Sequence, residues 1–328
     1  MISALHSERR LHCRSRGFRM GGCRGVSLVE VMVAMVLGMV VVLGVVSLMS
    51  NNRQNARISE GLAEMQENAR TGFELLARDI RVARDTGCGP VGVGTTDLYA
   101  APSAWWQSWQ PVRGFTEGDV SPAVGFGSAV GQRVIGTDAI QLQGTNDGWP
   151  LRNTDPVATT VTTVSGHNLQ ANNIVVLCDL ENQSAMLHRV TGGATSTVSV
   201  TPQTTYGSGQ IAQYWASTWY IGNNGRSDEG GRSLYRARFN QADQTVLTEE
   251  VLPGVTDMQI RYRIDNAANF STAVGATQWD LVSAVEVSLT IETTNRNVTT
   301  AAGADASVGA DNRLRRTSVN VIATRNRP

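Results

Sequence analysis

Between Val31 and Met49 the chain runs nineteen residues without a charge, VMVAMVLGMVVVLGVVSLM. As a helix rising about 1.5 Å per residue, such a run crosses a hydrocarbon core of about 30 Å. It is apolar on every side, so water cannot host it as an ordinary surface helix. It predicts a single membrane span, and the rest of the chain must be placed relative to it.

The residues on its amino side decide what kind of span this is. Residues 1–25 hold Arg9, Arg10, Arg14, Arg16, Arg19 and Arg24 against one acid, Glu8. Positive charge beside a span stays cytoplasmic, which puts the remainder of the chain outside. A secretory signal would carry a small-residue cleavage site after the apolar region, but there the chain reads Ser50-Asn51-Asn52-Arg53. Cleavage is better placed before the helix. The string Gly25-Val26-Ser27-Leu28-Val29-Glu30, followed by a long apolar helix, resembles the processing site of type IV prepilins and type II secretion pseudopilins. The resemblance implies a leader of residues 1–25, cut after Gly25 by a prepilin peptidase. It also implies methylation of the new amino terminus at Val26, where most family members have Phe. Met1 and Met20 are both candidate starts, and counted from Met20 the leader has six residues.

Glu30 stands one residue before the uncharged run. A carboxylate in hydrocarbon costs several kcal/mol, roughly, unless it is paired, so an intramembrane acid points to a partner. One reading leaves Glu30 solvated among headgroups, where it also favours the positive end of the helix dipole. The resemblance implies another and favours it: the carboxylate meets the free amino terminus of a neighbouring subunit as helices bundle.

Removal of residues 1–25 would leave 303, with a helix of about 60 residues and roughly 240 residues of globular material. That is enough for one or two domains with a sizeable core. The whole chain is formally neutral, so loss of the arginine-rich leader leaves −5. A mildly acidic outer part argues against nucleic acid as its main partner. Cys13 and Cys23 fall in the leader, which leaves Cys88 and Cys178 in an oxidising compartment. Two such cysteines suggest one disulfide, the alternative being two buried thiols. Closing a loop of that length would stabilise by about 4 kcal/mol on the chain-entropy model.

Beyond the span the period changes without a break. Ile58, Leu62, Met65, Ala69, Phe73, Leu76, Ile80 and Ala83 recur at steps of three and four, one apolar stripe on a continuing helix. Arg57, Glu60, Glu64, Glu67, Arg70, Glu74, Arg78, Asp79 and Arg81 are expected on a solvated face, with Glu74 and Arg78 in i,i+4 reach. Thr86-Gly87-Cys88-Gly89-Pro90 supplies the stop. The expected organisation is a membrane or filament half at 26–50, an amphipathic half at 51–87, and an extracytoplasmic head at 88–328. A helix from Gly25 to about Arg84 would be about 90 Å long.

After Pro90 short alternating or β-branched runs take over. Strands are expected at Ala139 to Leu142, Ile174 to Cys178, Met186 to Val190, Thr197 to Val200, Thr218 to Ile221, Leu234 to Phe239, Val255 to Arg263, Val282 to Glu292 and Thr317 to Thr324. No helical pattern of useful length separates them. The fold class is therefore α+β: a long amino-terminal helix, membrane half plus amphipathic half, packed on an antiparallel β-sheet-rich globular head. The section from Val91 to Gly136, rich in Gly, Pro and aromatic residues, is expected to be a loop or an inserted subdomain.

At the carboxyl end, Glu250-Val251-Leu252-Pro253-Gly254-Val255-Thr256-Asp257-Met258-Gln259-Ile260-Arg261-Tyr262 and Arg315-Arg316-Thr317-Ser318-Val319-Asn320-Val321-Ile322-Ala323-Thr324-Arg325-Asn326-Arg327 resemble the closing segments of the PilW family of minor pilins. The resemblance implies a low-abundance subunit, stored in the inner membrane with its head periplasmic. It would join other minor pilins and the major pilin, through the inner-membrane assembly platform, to prime a type IV pilus near its tip. A J-like minor pseudopilin of type II secretion shares the same amino-terminal helix and a β-rich head, and is the alternative.

Catalytic chemistry finds little footing. His167 and His188 lack a neighbouring Cys or second His at metal spacing, and there is no serine elbow or phosphate loop. No enzyme activity, cofactor or metal is expected. His188 is expected to pack or pair on a strand. Asp228 and Glu229 do not follow a calcium-loop spacing and are expected in a solvated turn. Trp105, Trp106 and Trp109 admit two readings, an exposed aromatic contact patch for a partner or, favoured, burial beneath irregular loops. Amino-terminal sequencing of the protein isolated from cells should give methylated Val26; a retained arginine-rich leader, or a start beyond Ser50, would contradict the pilin reading.

Overall fold

The computed structural model describes residues 25–87, 104–152, 160–181, 184–201, 208–272, 274–275, 278–299, 308 and 310–324. The leader, Cys88 and part of the irregular section after Pro90 lie outside the described residues. The chain divides into two compact units, residues 1–53 and 54–328. One 55-residue helix, α1 (Leu28–Val82), contributes to both.

In the first unit, Ser27 starts α1. Its Oγ accepts the Val29 N–H at 3.3 Å, and its carbonyl accepts from Glu30 and Val31 at 2.9 and 3.1 Å. These contacts satisfy amides that a helix start otherwise leaves open. Every residue from 25 to 53 is exposed, including Leu28, Met35, Leu37 and Leu43.

In the second unit, α1 buries Gly61, Met65, Gly72, Phe73, Leu76, Ala77 and Ile80. The stripe follows the predicted period with one shift at its start. Leu62 is exposed, and Gly61 takes the inward place. There a methyl group would come within 2.9 Å of Thr293 Cγ2, so the helix backbone approaches the sheet closely where a larger residue would hold it off. Arg84 then breaks the helix in the left-handed region, φ +68°. Its N–H donates to the Gln143 carbonyl at 2.9 Å, and its guanidinium donates to the carbonyls of Val282, at 3.0 Å, and Trp279.

The strands are β1 (Val112–Phe115), β2 (Ala139–Pro150), β3 (Thr160–Thr162), β4 (Ile174–Asp179), β5 (Ser184–Ala194), β6 (Thr197–Thr201), β7 (Gly209–Asn223), β8 (Arg232–Asn240), β9 (Thr245–Pro253), β10 (Val255–Ile264), β11 (Val282–Glu292) and β12 (Arg315–Ala323). They form a nine-stranded and a three-stranded sheet, and every strand pairing is antiparallel. β7 is the organising strand of the larger sheet. β2 lies along one side of it, while β4 pairs with its first part and β8 with its last. The smaller sheet runs β10-β11-β12.

The main core lies where α1 meets both sheets. Met65, Phe73, Leu76, Ile80 and Ala83 of the helix segment pack with Ile140 and Leu142 of β2, Trp219 and Ile221 of β7, and Met258, Val287 and Leu289 of the smaller sheet. Period-2 alternation produces this arrangement. In β10, Met258, Ile260 and Tyr262 point inward and are buried while Asp257, Gln259 and Arg261 point away. All nine predicted strand segments fall on strands, and β1, β3 and β9 are additional. β9 is unreadable by alternation because Glu249 and Glu250 sit in it as partners of arginines, one across the β8–β9 ladder and one in the turn before β8. Glu249 meets Arg236 of β8 at 2.7 Å, and Glu250 meets Arg226 at 2.9 Å.

The part of the irregular section that is described is organised by a buried cation. Arg133 is fully buried, and its guanidinium donates to the carbonyls of Asp119 (2.8 Å), Phe115 (3.2 Å), Thr116 (2.8 Å) and Thr137. One planar group thus gathers a loop that has few internal ladder bonds. The same region joins the two sheets through Asp138, whose N–H donates to Met258 O at 2.9 Å and whose Oδ2 accepts the Ile260 N–H at 2.7 Å.

Burial pushes the Asp138 carboxyl up to about 6, against the Ile260 N–H and the Arg133 guanidinium, which pull it down. The folded state therefore holds this proton more tightly than the unfolded chain, and the stability it contributes is present at low pH and lost as pH rises through about 6. Asp138→Asn can still accept the Ile260 N–H but does not titrate. Its stability relative to the parent, measured by urea unfolding, should improve as pH rises from about 4.5 and level off just above about pH 6; a difference that stays flat with pH would contradict this account.

Candidate assembly site

The first unit offers an apolar helix that nothing in its own unit covers. Val26 is 69% and Leu28 77% exposed, and the residues from Val31 to Met49 are exposed around the full circumference. α1 is the one helix among the described residues long and apolar enough to cross a membrane. Glu30 lies in its first turn, three residues after Ser27, with its carboxylate exposed. Among the described residues no cation pairs with it. The turn thus combines a free carboxylate, the positive end of a helix dipole and an apolar surface. That arrangement suits association with lipid or other helices through packing, with one polar contact to set register.

In the second unit the helix is fastened by a polar contact that the periodicity did not reveal. Asp79 was expected on the solvated face. Instead its Oδ2 accepts from Trp219 Nε1 at 2.9 Å and Ser217 Oγ at 3.4 Å, with Arg236 Nη1 at 3.7 Å. The Arg236 guanidinium also lies 5.2 Å above the Trp219 ring. Burial raises the Asp79 carboxyl, and these donors partly offset the rise. Position held the missed signal: Asp79 is three residues after Leu76 and so shares its inward face. The ion pair on the outer face is Arg70 with Glu74 at 2.8 Å, and that pair is well exposed. Another buried guanidinium, Arg313, donates to the carbonyls of Thr293 (2.7 Å), Thr294 and Asp228.

Cys178, on β4, is buried and disulfide-bonded. Cys88 lies outside the described residues. The chain leading to it, however, is placed close by. Gly87, at φ +85°, takes a conformation that suits glycine, and the end of the Gln210 side chain lies directly against it. Gln210 is the register partner of Cys178 across the β4–β7 ladder.

The tryptophan cluster is internal, so the exposed-patch reading is corrected. Trp105 and Trp106 form a 3-10 turn and are buried in a second core with Ile174, Cys178, Leu187, Tyr214 and Phe239. Trp106 stacks on Phe239 with centroids 4.3 Å apart, and Trp109 packs against the same core, its ring 6.3 Å from that of Tyr214. Rings of this size supply apolar area that short strands lack. His188 is fully buried on β5, and His167 Nδ1 accepts the Leu169 N–H at 3.2 Å. Glu229 pairs with Arg226 in the turn that holds Asp228. Among the described residues no three His, Cys, Asp or Glu side chains gather as a metal site would require.

Residues 218–326 match the family model described as type IV pilus-assembly protein W, and residues 20–46 match the prokaryotic N-terminal methylation motif. The first match spans the end of β7 and β8 to β12, and the second spans Gly25, Val26, Glu30 and most of the uncharged run. No curated protein matches the chain. Non-reducing electrophoresis should show a faster band that shifts on reduction, and Cys178→Ser should run at the reduced position whether or not reductant is present.

Proposed function

Given that the chain is a type IV pilin of the PilW family, we propose that it is a minor pilin that primes pilus assembly together with other minor pilins and the major pilin, near the pilus tip. A prepilin peptidase cuts after Gly25, and Val26 becomes the methylated amino terminus. The segment from Val26 to about Met49 waits in the inner membrane with its amino end cytoplasmic and the head periplasmic. The assembly platform then lifts it into a bundle where other helices replace lipid.

The observation that carries this reading is the uncovered apolar helix with Glu30 exposed in its first turn. Exchange of lipid for neighbouring helices leaves the apolar balance almost unchanged, so specificity falls to packing and to the few polar groups present. Glu30 is the one acid in that part of the helix, and the new amino terminus of an adjacent subunit is a cation at the same depth. The disulfide of Cys178 closes on Cys88, tying the end of the helix segment to the middle of the larger sheet; the nearness of Gly87 to Gln210 supports this pairing.

Glu30→Ala should insert in the membrane normally yet enter pili, and recover partner pilins in pull-downs, at least about 30-fold less well. Loss of one member of a desolvated charge pair has that order of effect. Normal piliation together with normal recovery of partners would contradict the proposal.

A further inference from the structure

The two edges of the smaller sheet are treated differently. The outer edge of β10 is closed: Asp138 takes up the Met258 carbonyl and the Ile260 N–H, and Tyr262 exchanges two backbone bonds with Ser271 at 2.8 and 2.9 Å. The outer edge of β12 is open. Thr324 N donates to the carbonyl of Ser283 at 3.1 Å, its direct partner when the register Ala284–Ala323 is continued. The bonded pairs therefore alternate as Ile322–Val285, Asn320–Val287, Ser318–Leu289 and Arg316–Ile291. The backbone groups of Thr317, Val319, Val321 and Ala323 point away from β11, and among the described residues nothing bonds to them. Val319 is 59% and Val321 51% exposed.

Proteins blunt such edges with proline, lysine, a bulge or a covering segment. β12 has none of the first three between Thr317 and Ala323, and its register with β11 has no shift. Charge sits only at the ends. Arg315 and Arg316 open the strand, and Arg325 and Arg327 follow it in the sequence. A second copy of β12 laid alongside in parallel would set Arg315 and Arg316 against their own copies, which is unfavourable for directly opposed residues, and in either direction a copy offers no acid to meet Arg316. The edge therefore disfavours its own copy. Beside it, between α1 and the inner face of β12, runs a groove of about 190 Å³ lined by Met65, Gln66, Ala69, Ile291, Arg316 and Ser318. Its floor is apolar, and it carries a guanidinium at one end; Arg315 is held by Glu292 at 2.7 Å, whereas Arg316 has no ion-pair partner among the described residues.

We infer that β12 is a docking edge completed by an extended strand of a different polypeptide, apolar at its centre and acidic at its ends. Main-chain bonds to residues 317, 319, 321 and 323 would hold it, alternate side chains would enter the groove, and an acid would meet Arg316. That the donor is another pilus subunit rests on the reading proposed above; the edge itself rests on sheet geometry.

The test uses the full-length protein in detergent micelles and a labelled nine-residue peptide, as long as β12, of sequence Glu-Glu-Thr-Val-Thr-Val-Thr-Glu-Glu, with binding read by fluorescence anisotropy. This peptide should bind at least about tenfold more tightly than the same peptide with arginine ends, a difference of about 1.4 kcal/mol. N-methylation of its central residues should abolish binding without any change to the protein. Val319→Pro should abolish it too while leaving the circular dichroism unchanged, because that N–H faces away from β11 and proline is tolerated there. No binding, equal binding of both peptides, or indifference to N-methylation would overturn the inference, as would disulfide cross-linking of Val319→Cys copies to one another. Peptide binding together with normal piliation by the Val319→Pro strain would keep the open edge and remove the pilus as the source of its strand.

Discussion

Within the second unit, the docking of residues 54–82 of α1 onto the two sheets is the contact on which the rest depends. The helix supplies Met65, Phe73, Leu76 and Ile80 to a core that also takes side chains from β2, β7, β10 and β11. The two sheets also meet directly, with β10 lying against β2, β7 and β8 and bonded to Asp138, and the helix closes the apolar core over that junction. Gly61 and Gly72 let the backbone settle onto Thr293 and Leu252, and Asp79 fixes its rotation against Trp219. Apolar burial supplies the bulk of the energy. The hydrogen bonds decide which way the helix faces.

The cations of the buried polar contacts are arginines, the chain having no lysine. Arg84, Arg133 and Arg313 are buried, and each spreads its donors over more than one backbone carbonyl, those of Arg133 and Arg313 coming from separate segments. A guanidinium suits this work because it presents several donors in one rigid plane and stays charged when buried. Burial still bears on it, and the Arg133 guanidinium is lowered to about 10. Loops whose carbonyls find no strand partner are held by side chains instead.

What could be read from the sequence divides along physical lines. Local signals were legible. The uncharged run, the glycine and serine before it, the stripe from Met65 to Ile80 and the alternation in β10 and β11 are each set by neighbours in the chain, and the structure carries them. The class also followed from these signals together with the closing segments, and the matches to the methylation motif and to pilus-assembly protein W agree with it. What escaped depends on distant partners. β1 and β3 are four and three residues long and exist because β2 and β6 lie beside them. β9 is patterned by charge, and its glutamates make sense only with Arg226 and Arg236 in view. Asp79 reads as solvated by polarity alone, whereas its place on the inward face and the indole of Trp219, 140 residues away, bury it.

The exposed Val, Leu and Met surface of residues 26–49 has one further consequence. A helix greasy on all sides has no aqueous resting state, so in the assembly proposed above the subunit would pass from one host to the next without a free interval. Because bilayer and helix bundle are about equally oily, neither host is strongly preferred on solvation grounds. On that proposal the transfer would be close to isoenergetic in its apolar part, and its direction would have to be imposed from outside by machinery that does work. The same near-balance makes the step reversible: a subunit that can be extracted from lipid at small net cost can be returned to it.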